Sequence, residues 1–401
     1  MKRILFVDDD SGVLDGLRRM LRGMRHEWET VFTGSGAEAL RLLEQIPFDV
    51  VVTDMRMPGM DGAQLLEEVM RRHAETIRIV LSGQADGESV LRSIGSAHQY
   101  LSKPCDESTV KATIARALLL RQWISEPTIK QLVARVTSLP SLPSLYAELV
   151  AELRSAESSI QRIAAIISRD VGMTAKILQL VNSSYFGLRQ RVATPSQAVA
   201  HLGIDVLRAL VLSVHTFAEY EGLTLAGFSI DALFDHSLAV GALAKQVVQK
   251  AGGTAEQAND ALVAGMLHDV GKLVLASNLQ DRYAAALTLA RREPMPLVAA
   301  ENEVFGCSHA EVGAYLLALW GLSDAVVEAV AFHHQPARSA VQSFSALTAV
   351  HVANALAREC ELSPREPSPI DDDYLAGLGL FDRLPGWREL ADGILCEGVM
   401  Q

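Results

Sequence analysis

The chain has 401 residues, 49% of them hydrophobic, and a formal net charge of −12 at pH 7. This length exceeds one ordinary core and predicts two or three domains. The negative charge disfavours broad contact with nucleic acid or with an anionic membrane surface. No window approaches the roughly 20 apolar residues of a spanning helix, and no apolar run near the N-terminus is long enough for a signal peptide. With four cysteines and no CxxC pair, we expect a soluble, cytoplasmic protein with reduced thiols.

Short β-branched runs alternate with amphipathic helical stretches over the first 120 residues. Strands are predicted at 3–7, 29–33, 49–53, 77–81 and 100–102, and helices at 11–23, 36–45, 62–72 and 106–123. This alternation predicts an α/β fold, a doubly wound five-stranded parallel sheet with helices on both faces. Sites in such sheets form outside the carboxyl ends of the strands.

Polar residues lie at those strand ends. Asp8 and Asp9 follow the first strand, Asp54 follows the third, Ser82 follows the fourth and Lys103 follows the fifth. An aspartate is a usable nucleophile toward phosphorus when its charge and the incoming oxygens are neutralised. We therefore predict phosphoryl transfer to Asp54, with Lys103 pairing with the phosphoryl group and Ser82 hydrogen-bonding it.

The same carboxylates suit a magnesium ion. Mg²⁺ prefers a few carboxylates and water in an octahedral shell. Asp9 and Asp54 are predicted as direct ligands, with Asp8 binding directly or through water and the backbone carbonyl of Arg56 completing the shell. Solvated turn residues are the alternative interpretation of any one of these aspartates.

The stretches ILFVDDD, VVTDMRMPGMDG, IVLSG and YLSKP resemble those of a response-regulator receiver domain, which has a flavodoxin-like fold. The resemblance covers the whole of 1–120. It implies that a partner histidine kinase donates the phosphoryl group to Asp54. It also implies that Ser82 and Tyr100 report phosphorylation to the face formed by the fourth helix, fifth strand and fifth helix. Packing is the alternative role for Tyr100, because half-buried strands favour aromatic residues.

A helical linker is predicted after the receiver-like region. Pro127 suits a first helical turn, so a second helix is predicted at 127–137, and the run LPSLP at 139–143 then interrupts the chain. The predicted domains are a receiver domain, a helical linker, an all-α output domain and a C-terminal extension of loop and weak helix, at 1–121, 122–140, 141–362 and 363–401.

Helical patterns dominate from 144 to about 360, and we identify no convincing strand there. The predicted helices are 144–155, 159–168, 172–182, 195–200, 203–219, 231–250, 256–276, 280–291, 296–304, 308–319, 323–333 and 343–359. The Pro-rich, acidic segment LSPREPSPIDDD then predicts a loop, and 373–400 is weakly helical.

Histidines concentrate in this helical region. The candidate metal ligands are His236, His268, Asp269, His309, His333, His334 and Asn354. Imidazole and carboxylate groups bind Zn, Fe, Mn or Ni, and a helical bundle can bring them together. His268 and Asp269 are adjacent, about 100° apart on a helix, so they can address two metals or bracket one. Hydrogen-bonded core residues are the alternative interpretation of each histidine.

The region from Leu139 to Cys360 resembles the HDOD domain, an output module related to HD-type metal-dependent phosphohydrolases. The resemblance is carried by SLPSLP, IAAIISRDVGMTAKILQLVNSSYFG, HLGIDVLRALVLS and the histidine segments, in that order. Two departures oppose catalysis. Asn354 stands where HD hydrolases have an aspartate, and Gln335 begins the stretch where the cyclic di-GMP phosphodiesterases have Gly-Tyr-Pro. The HDOD family commonly keeps metal-type histidines without established hydrolysis.

Two functions follow from this domain pair. The first is a two-component response regulator whose output domain acts mainly by protein contact with a downstream signalling protein, with a homodimer through the receiver or linker helix. The alternative is a phosphorylation-gated metal-dependent phosphohydrolase acting on a cyclic or other nucleotide. Direct DNA binding ranks third, because we identify no helix-turn-helix tail and the chain is acidic.

Overall fold

The computed structural model gives the fold of most of the chain. It describes residues 1–82, 93, 96–120, 124, 126–137, 139–141, 143–155, 157–182, 192–213, 218–219, 225–293, 295–360 and 369–396. Within these residues, no helix combines the length and the apolar character needed to cross a membrane.

The N-terminal region is a five-stranded, all-parallel sheet in the order β2-β1-β3-β4-β5. Its elements are β1 (Lys2–Val7), α1 (Ser11–Met20), β2 (Trp28–Thr33), α2 (Gly36–Gln45), β3 (Val50–Asp54), α3 (Gly62–Arg72), β4 (Ile77–Ser82), β5 (Gln99–Ser102) and α4 (Glu107–Leu120). The predicted α/β fold class is therefore confirmed, and each predicted strand lies within two residues of an observed one.

Alternate side chains of the strands build two cores, one on each face of the sheet. Ile4 and Phe6 pack with α1 and α4, whereas Leu5 and Val7 pack with α2 and α3. Because successive side chains of a strand point to opposite faces, an apolar run without alternation requires covering helices on both faces. Local signals set the helix starts, as in the capping box of Asp61 and Gln64 that begins α3.

The rest of the described chain is mainly helical, as predicted. Its helices are α5 (Pro127–Arg135), α6 (Pro143–Arg154), α7 (Ile160–Ser168), α8 (Val171–Val181), α9 (Pro195–Ser213), α10 (Ile230–Lys250), α11 (Ala255–Leu267), α12 (Val270–Asn278), α13 (Gln280–Arg292), α14 (Leu297–Phe305), α15 (His309–Leu319), α16 (Asp324–Phe332), α17 (Ala346–Cys360), α18 (Asp372–Gly377) and α19 (Leu384–Ala391).

Two details of the helical prediction are wrong. A two-residue strand, Ala218–Glu219, pairs in parallel with Pro140–Ser141, although no strand was predicted after 144. The predicted helix at 256–276 is two helices, because α11 ends at Leu267 and α12 begins at Val270. His268 and Asp269 therefore occupy a junction between helices and are not successive residues of one helix.

The receiver-like region docks on the helical region through β5 and α4. Gln99 Nε2 donates to the carbonyl oxygen of Ala318 over 2.8 Å. Arg116 donates to the carbonyl oxygen of Leu322, and its Nε lies 3.0 Å from Asp324 Oδ1. These contacts reach the end of α15 and the turn into α16.

Helix α5 is anchored on both sides. Arg78 Nη2 and His98 Nε2 contact the carbonyl oxygen of Ala134 at 2.6 and 2.9 Å. At the other end, Glu126 accepts two bonds from the Arg282 guanidinium at 3.0 and 3.2 Å. Paired guanidinium and carboxylate groups fix orientation as well as distance, so the linker holds both regions in one arrangement.

Candidate functional site

The carboxyl ends of β1 and β3 bring two buried carboxylates together. Asp8 and Asp54 are 2% and 7% exposed. Lys103 Nζ lies 2.6 Å from Asp8 Oδ2 and also contacts Asp54 Oδ1. The backbone N–H of Arg56 donates to Asp54 Oδ2 over 2.6 Å. One ammonium group thus bridges two carboxylates, an arrangement that leaves excess negative charge for a cation.

The sheet order explains this convergence, because β1 and β3 are neighbours and both end at the same edge. A glycine completes the turn after β3. A Cβ atom on Gly62 would lie 2.1 Å from the carbonyl oxygen of Asp54, so α3 approaches the end of β3 at a distance that any side chain would prevent.

Burial and charge oppose each other in the acidic pocket. Burial raises the pKa of Asp54, and the Lys103 contact only partly offsets it. Burial alone would lower the pKa of Lys103, but its contacts to Asp54 and Asp8 raise the pKa overall. Both shifts have the same origin, since carboxylates removed from water need a cation nearby. Asp9 follows Asp8 and is exposed, so Asp8 and Asp54 are the carboxylates that the structure brings together for the oxygen-rich shell that Mg²⁺ prefers.

The structure describes the side chain of only one of the two residues predicted to report phosphorylation, Ser82 and Tyr100. Ser82 is the last residue of β4, and its side chain lies outside the described part of the structure. Tyr100 is buried, and its hydroxyl lies 3.1 Å from Ser93 Oγ. Its ring packs in the core shared with α2 and α3, which is the packing role considered for this residue.

The predicted histidines converge on Asp269. His309 Nε2 lies 3.1 Å from Asp269 Oδ1, and His268 Nε2 lies 3.4 Å from Asp269 Oδ2. His333 Nε2 is 3.9 Å from Asp269 Oδ1, and His334 Nε2 is 3.1 Å from His309 Nε2. The ligand atoms of Asp269, His309, His333 and His334 all lie within 4.8 Å of one another. We name Asp269, His268, His309, His333 and His334 the histidine cluster.

Backbone carbonyl groups orient two of these imidazoles. His268 Nδ1 lies 2.7 Å from the carbonyl oxygen of Gly265, and His333 Nδ1 lies 2.8 Å from that of Val330. Because Nδ1 donates to these oxygens, the lone pair of each ring is on Nε2. Neither Nε2 atom has a hydrogen-bond partner among the described residues. Buried polar atoms without partners are rare, and this set fits a metal ion.

A buried carboxylate orients the third imidazole. Glu301, fully buried in α14, accepts from His309 Nδ1 over 2.6 Å. Metal-binding histidines commonly donate their second ring nitrogen to a carboxylate in this way. Glu301 was not predicted from the sequence, because it precedes His309 by eight residues and shares no motif with it.

Cations lie on the other side of Asp269, and they were also missed. Lys272 Nζ is 3.0 Å from Asp269 Oδ2, and Arg358 Nη2 is 3.6 Å from the same oxygen. Oδ1 of Asp269 therefore faces the imidazoles of His309 and His333. Oδ2 faces the side chains of Lys272 and Arg358. Its HDVGK context was the available signal for Lys272.

The directions of the pKa shifts divide the histidines of the cluster into two groups. Burial lowers the pKa of His268 to about 3, and burial together with neighbouring imidazoles lowers the pKa of His333 and His334 well below the usual range. Burial also disfavours a charge on His309, but Glu301 and Asp269 outweigh it and raise its pKa to about 9. Neutral imidazoles are the form that binds metal.

The remaining predicted residues lie at the edge of the cluster. His236 Nε2 is 2.9 Å from Asn354 Oδ1. The possible ligand atoms of His236, His268 and Asp269 also lie within 4.8 Å of one another. His351 Nδ1 donates to the carbonyl oxygen of His333 over 2.8 Å. Asn354 thus pairs with His236, whereas His351 fixes the backbone of His333.

Comparisons with known proteins match these two regions. A family model described as a response regulator receiver domain matches residues 4–115, and one described as an HDOD domain matches residues 139–336. Among solved structures, the MmoQ response regulator of Methylococcus capsulatus strain Bath is 26% identical, with a TM-score of 0.47, over 63% of this chain and 98% of that chain.

Curated relatives include an uncharacterized protein of Treponema pallidum, strain Nichols, which is 27% identical over 228 residues, 55% of this chain and 43% of its own length. The hydrogenase transcriptional regulatory protein HoxA of Cupriavidus necator is 36% identical over 29% of this chain and 24% of its own length. The DNA-binding transcriptional regulator NtrC of Escherichia coli strain K12 is 34% identical over 33% of this chain and 28% of its own length. The chain thus spans less than half the length of each of these relatives.

Proposed function

This chain carries a response regulator receiver domain followed by an HDOD domain, and from that premise we propose that it is a phosphorylation-controlled relay. A histidine kinase is the phosphodonor to Asp54, and the HDOD domain acts by contact with a downstream signalling protein. The observation that carries the proposal is the carboxylate pair, Asp8 and Asp54, bridged by Lys103.

The residues of the pocket divide the chemistry among them. A carboxylate oxygen of Asp54 forms the bond to phosphorus as the bond to the donor's leaving group breaks. Mg²⁺ held by Asp8, Asp9, Asp54 and the Arg56 carbonyl would neutralise the phosphoryl oxygens. The Lys103 ammonium, already beside Asp54 Oδ1, is within reach of a phosphoryl oxygen attached to that carboxylate.

The relay runs through the docking contact between the two domains. Gln99 and Arg116 of the receiver reach the last turn of α15 and the turn that follows it. Helix α15 begins at His309, so a shift at its far end acts on an element of the histidine cluster. A phosphorylation-dependent change needs such a contact, which two receiver states can hold differently.

Labelling with acetyl phosphate and Mg²⁺ tests the proposal. We expect one phosphoryl group per chain by intact mass, and none in Asp54→Asn. Asp15→Asn is the matched control, since it removes the same charge from the exposed face of α1. An unlabelled wild-type chain, or an Asp54→Asn chain labelled as well as wild type, contradicts the proposal.

A second candidate function, a metal-dependent phosphohydrolase acting on a cyclic or other nucleotide, is favoured by one observation. The Nε2 atoms of His268 and His333 lack hydrogen-bond partners among the described residues, and both lie within 4 Å of the Asp269 carboxylate. These groups, with His309 and His334, would hold a metal ion such as Fe, Mn, Zn or Ni. Such an ion activates water and binds phosphate oxygens.

Elemental analysis separates the two functions. A tag-free protein that contains a transition metal and hydrolyses a nucleotide with Mn²⁺ or Fe²⁺ added supports the hydrolase. Metal without turnover supports a relay with a structural metal site. A protein with neither metal nor turnover eliminates the hydrolase and leaves the Asp54 relay intact.

A further inference from the structure

A cavity of about 1010 Å³ lies beside the histidine cluster. Its walls come from the start of α10, from α12, from the end of α13 with the segment that follows it, and from α17. His236 faces it from α10, so the cavity ends where the cluster begins. The volume is at the upper end of the range for small-molecule pockets.

Cationic side chains dominate the charged lining. Lys272, Arg291, Arg292 and Arg358 line the cavity, and Glu293 is the carboxylate among the described lining residues. This excess of positive charge occurs in a chain whose formal net charge is −12. A cleft lined by one sign of charge concentrates its field inside the cleft, and guanidinium groups match the geometry of phosphate oxygens.

One of these arginines is held at the wall by the backbone opposite. Arg291 Nη2 donates to the carbonyl oxygen of Ala226 over 2.7 Å. A Cβ atom on Gly227 would lie 1.1 Å from the same nitrogen, so the missing side chain at Gly227 makes the space for the guanidinium. Its φ of +86° also favours glycine there.

The deeper cations connect the cavity to the cluster. Lys272 and Arg358 both approach Asp269 Oδ2, at 3.0 and 3.6 Å. Arg291 and Arg292 are exposed on α13. A ligand that enters past the two exposed arginines therefore meets cations along its length and stops near the imidazoles.

The rest of the lining is apolar. Phe228, Leu233, Leu287, Met295 and Leu297 supply these walls. An inorganic anion has no group to bury against them, whereas an organic phosphate does. We propose that this cavity binds a small organic phosphate of the nucleotide class, with the phosphate on the arginines and the base against the apolar wall.

This ligand would be a second input, separate from phosphorylation of Asp54. None of the residues that carry the proposal lies in the receiver, and binding requires no turnover. Failure of the receiver proposal and failure of this one are therefore separate outcomes, because binding can be measured on the Asp54→Asn chain.

Calorimetric titration of the full chain after EDTA treatment tests the proposal. The probes are 5′-GMP, 5′-AMP, guanosine, adenosine and inorganic pyrophosphate at one ionic strength. We expect at least one nucleotide to bind at least tenfold more tightly than its nucleoside and than pyrophosphate. In Arg291→Ala/Arg292→Ala, loss of charge-assisted contacts should weaken that binding by about tenfold or more.

Arg338→Ala/Arg383→Ala is the matched control, because both arginines are exposed and neither lines the cavity. It removes the same charge and should leave the affinity unchanged. The proposal is overturned if no nucleotide binds the wild-type chain, if either nucleoside or pyrophosphate binds as tightly as the nucleotides, or if the α13 double variant binds as tightly as wild type.

Discussion

The receiver pocket and the histidine cluster both contain buried carboxylates, but different groups neutralise them. In the receiver pocket, Asp8 and Asp54 share one ammonium group, and the Lys103 side chain is 25% exposed. In the histidine cluster, Asp269 has imidazoles beside both oxygens and cations beside Oδ2, and its side chain is 2% exposed. The receiver pocket thus lies at the edge of a sheet, whereas the histidine cluster lies at a helix junction beside a cavity.

Both sites nevertheless rely on a close backbone approach. A Cβ atom on Gly62 would lie 2.1 Å from the carbonyl oxygen of Asp54, and one on Gly271 would lie 1.9 Å from that of His309. In each case a helix packs directly on the backbone of a candidate site residue, so geometry near the site depends on the absence of a side chain.

The largest expected effect is on stability at low pH, which should differ in sign between the helical region and the receiver. In the metal-free protein, burial keeps His268, His333 and His334 neutral, with pKa values far below the ordinary 6.5. The unfolded chain then binds more protons below about pH 6.5, so their contribution is present above that pH and lost below it. We expect about 1 kcal/mol per imidazole at pH 5.5. His309, with its pKa raised to about 9, contributes below pH 6.5 and loses its contribution as pH rises through 9.

In the receiver pocket, the change in stability as pH falls has the opposite sign. Burial raises the pKa of Asp54, so the cost of its ionised form is relieved as pH falls through its folded pKa. Hydrogen exchange at pH 7.5 and 5.5, corrected for intrinsic rates, should show α12 and α17 losing protection while β1 and β3 keep it. If the receiver strands open first, the assignment of the buried neutral imidazoles is wrong.

Substituting Gly271 should disrupt the cluster without touching a ligand. In Gly271→Ala, the added Cβ would collide with the His309 carbonyl oxygen, forcing α12 away from α15. We expect a loss of about 1 to 3 kcal/mol in the free energy of unfolding, together with weaker metal binding. Urea unfolding and metal titration measure the two effects.

Gly16→Ala is the matched control, because nothing lies within 4 Å of a Cβ atom on this helical glycine. Alanine there should be neutral or stabilising by up to about 1 kcal/mol. Equal losses in both variants would show that the 271 position is not a close-approach site.

Removing the charge on Glu301 should weaken metal binding while the ligands stay in place. Glu301 accepts from His309 Nδ1, so Glu301→Gln removes the carboxylate that fixes this tautomer. The expected loss of metal affinity is about tenfold to a hundredfold. Glu303→Gln, an exposed neighbour on α14, is the control and should bind metal as wild type does. Equal affinities in both variants would contradict the orienting role.

These residues also mark how far the sequence alone could predict the sites. Asp8, Asp54 and Lys103 were predictable because parallel strands end at one edge, so order along the chain became proximity. Glu301 and Arg358 were not, since α14 and α17 meet the cluster only through tertiary packing. The periodic apolar pattern also hid the helix break at His268, because the end of α11 and most of α12 are buried on all sides.

The smallest expected effect concerns the contact that joins the two regions. Arg116→Ala removes the pair with Asp324 and the bond to the Leu322 carbonyl group. Because Asp324 is exposed, we expect a loss below about 1 kcal/mol in the free energy of unfolding. If the relay uses this contact, hydrogen exchange at the end of α15 should rise in unphosphorylated Arg116→Ala. Acetyl phosphate should then raise it less than in wild type.

Arg71→Ala supplies the control for that variant. Arg71 pairs with Glu68 on the exposed face of α3 at 2.6 Å, away from the docking contact, so its loss should leave exchange in α15 and the response to acetyl phosphate unchanged. An Arg116→Ala chain that responds to acetyl phosphate as fully as this control would mean that the Arg116 contact of α4 does not transmit the signal. The Gln99 bond to the Ala318 carbonyl group and the linker, with Arg78 and His98 on Ala134, would then be the described connections to test.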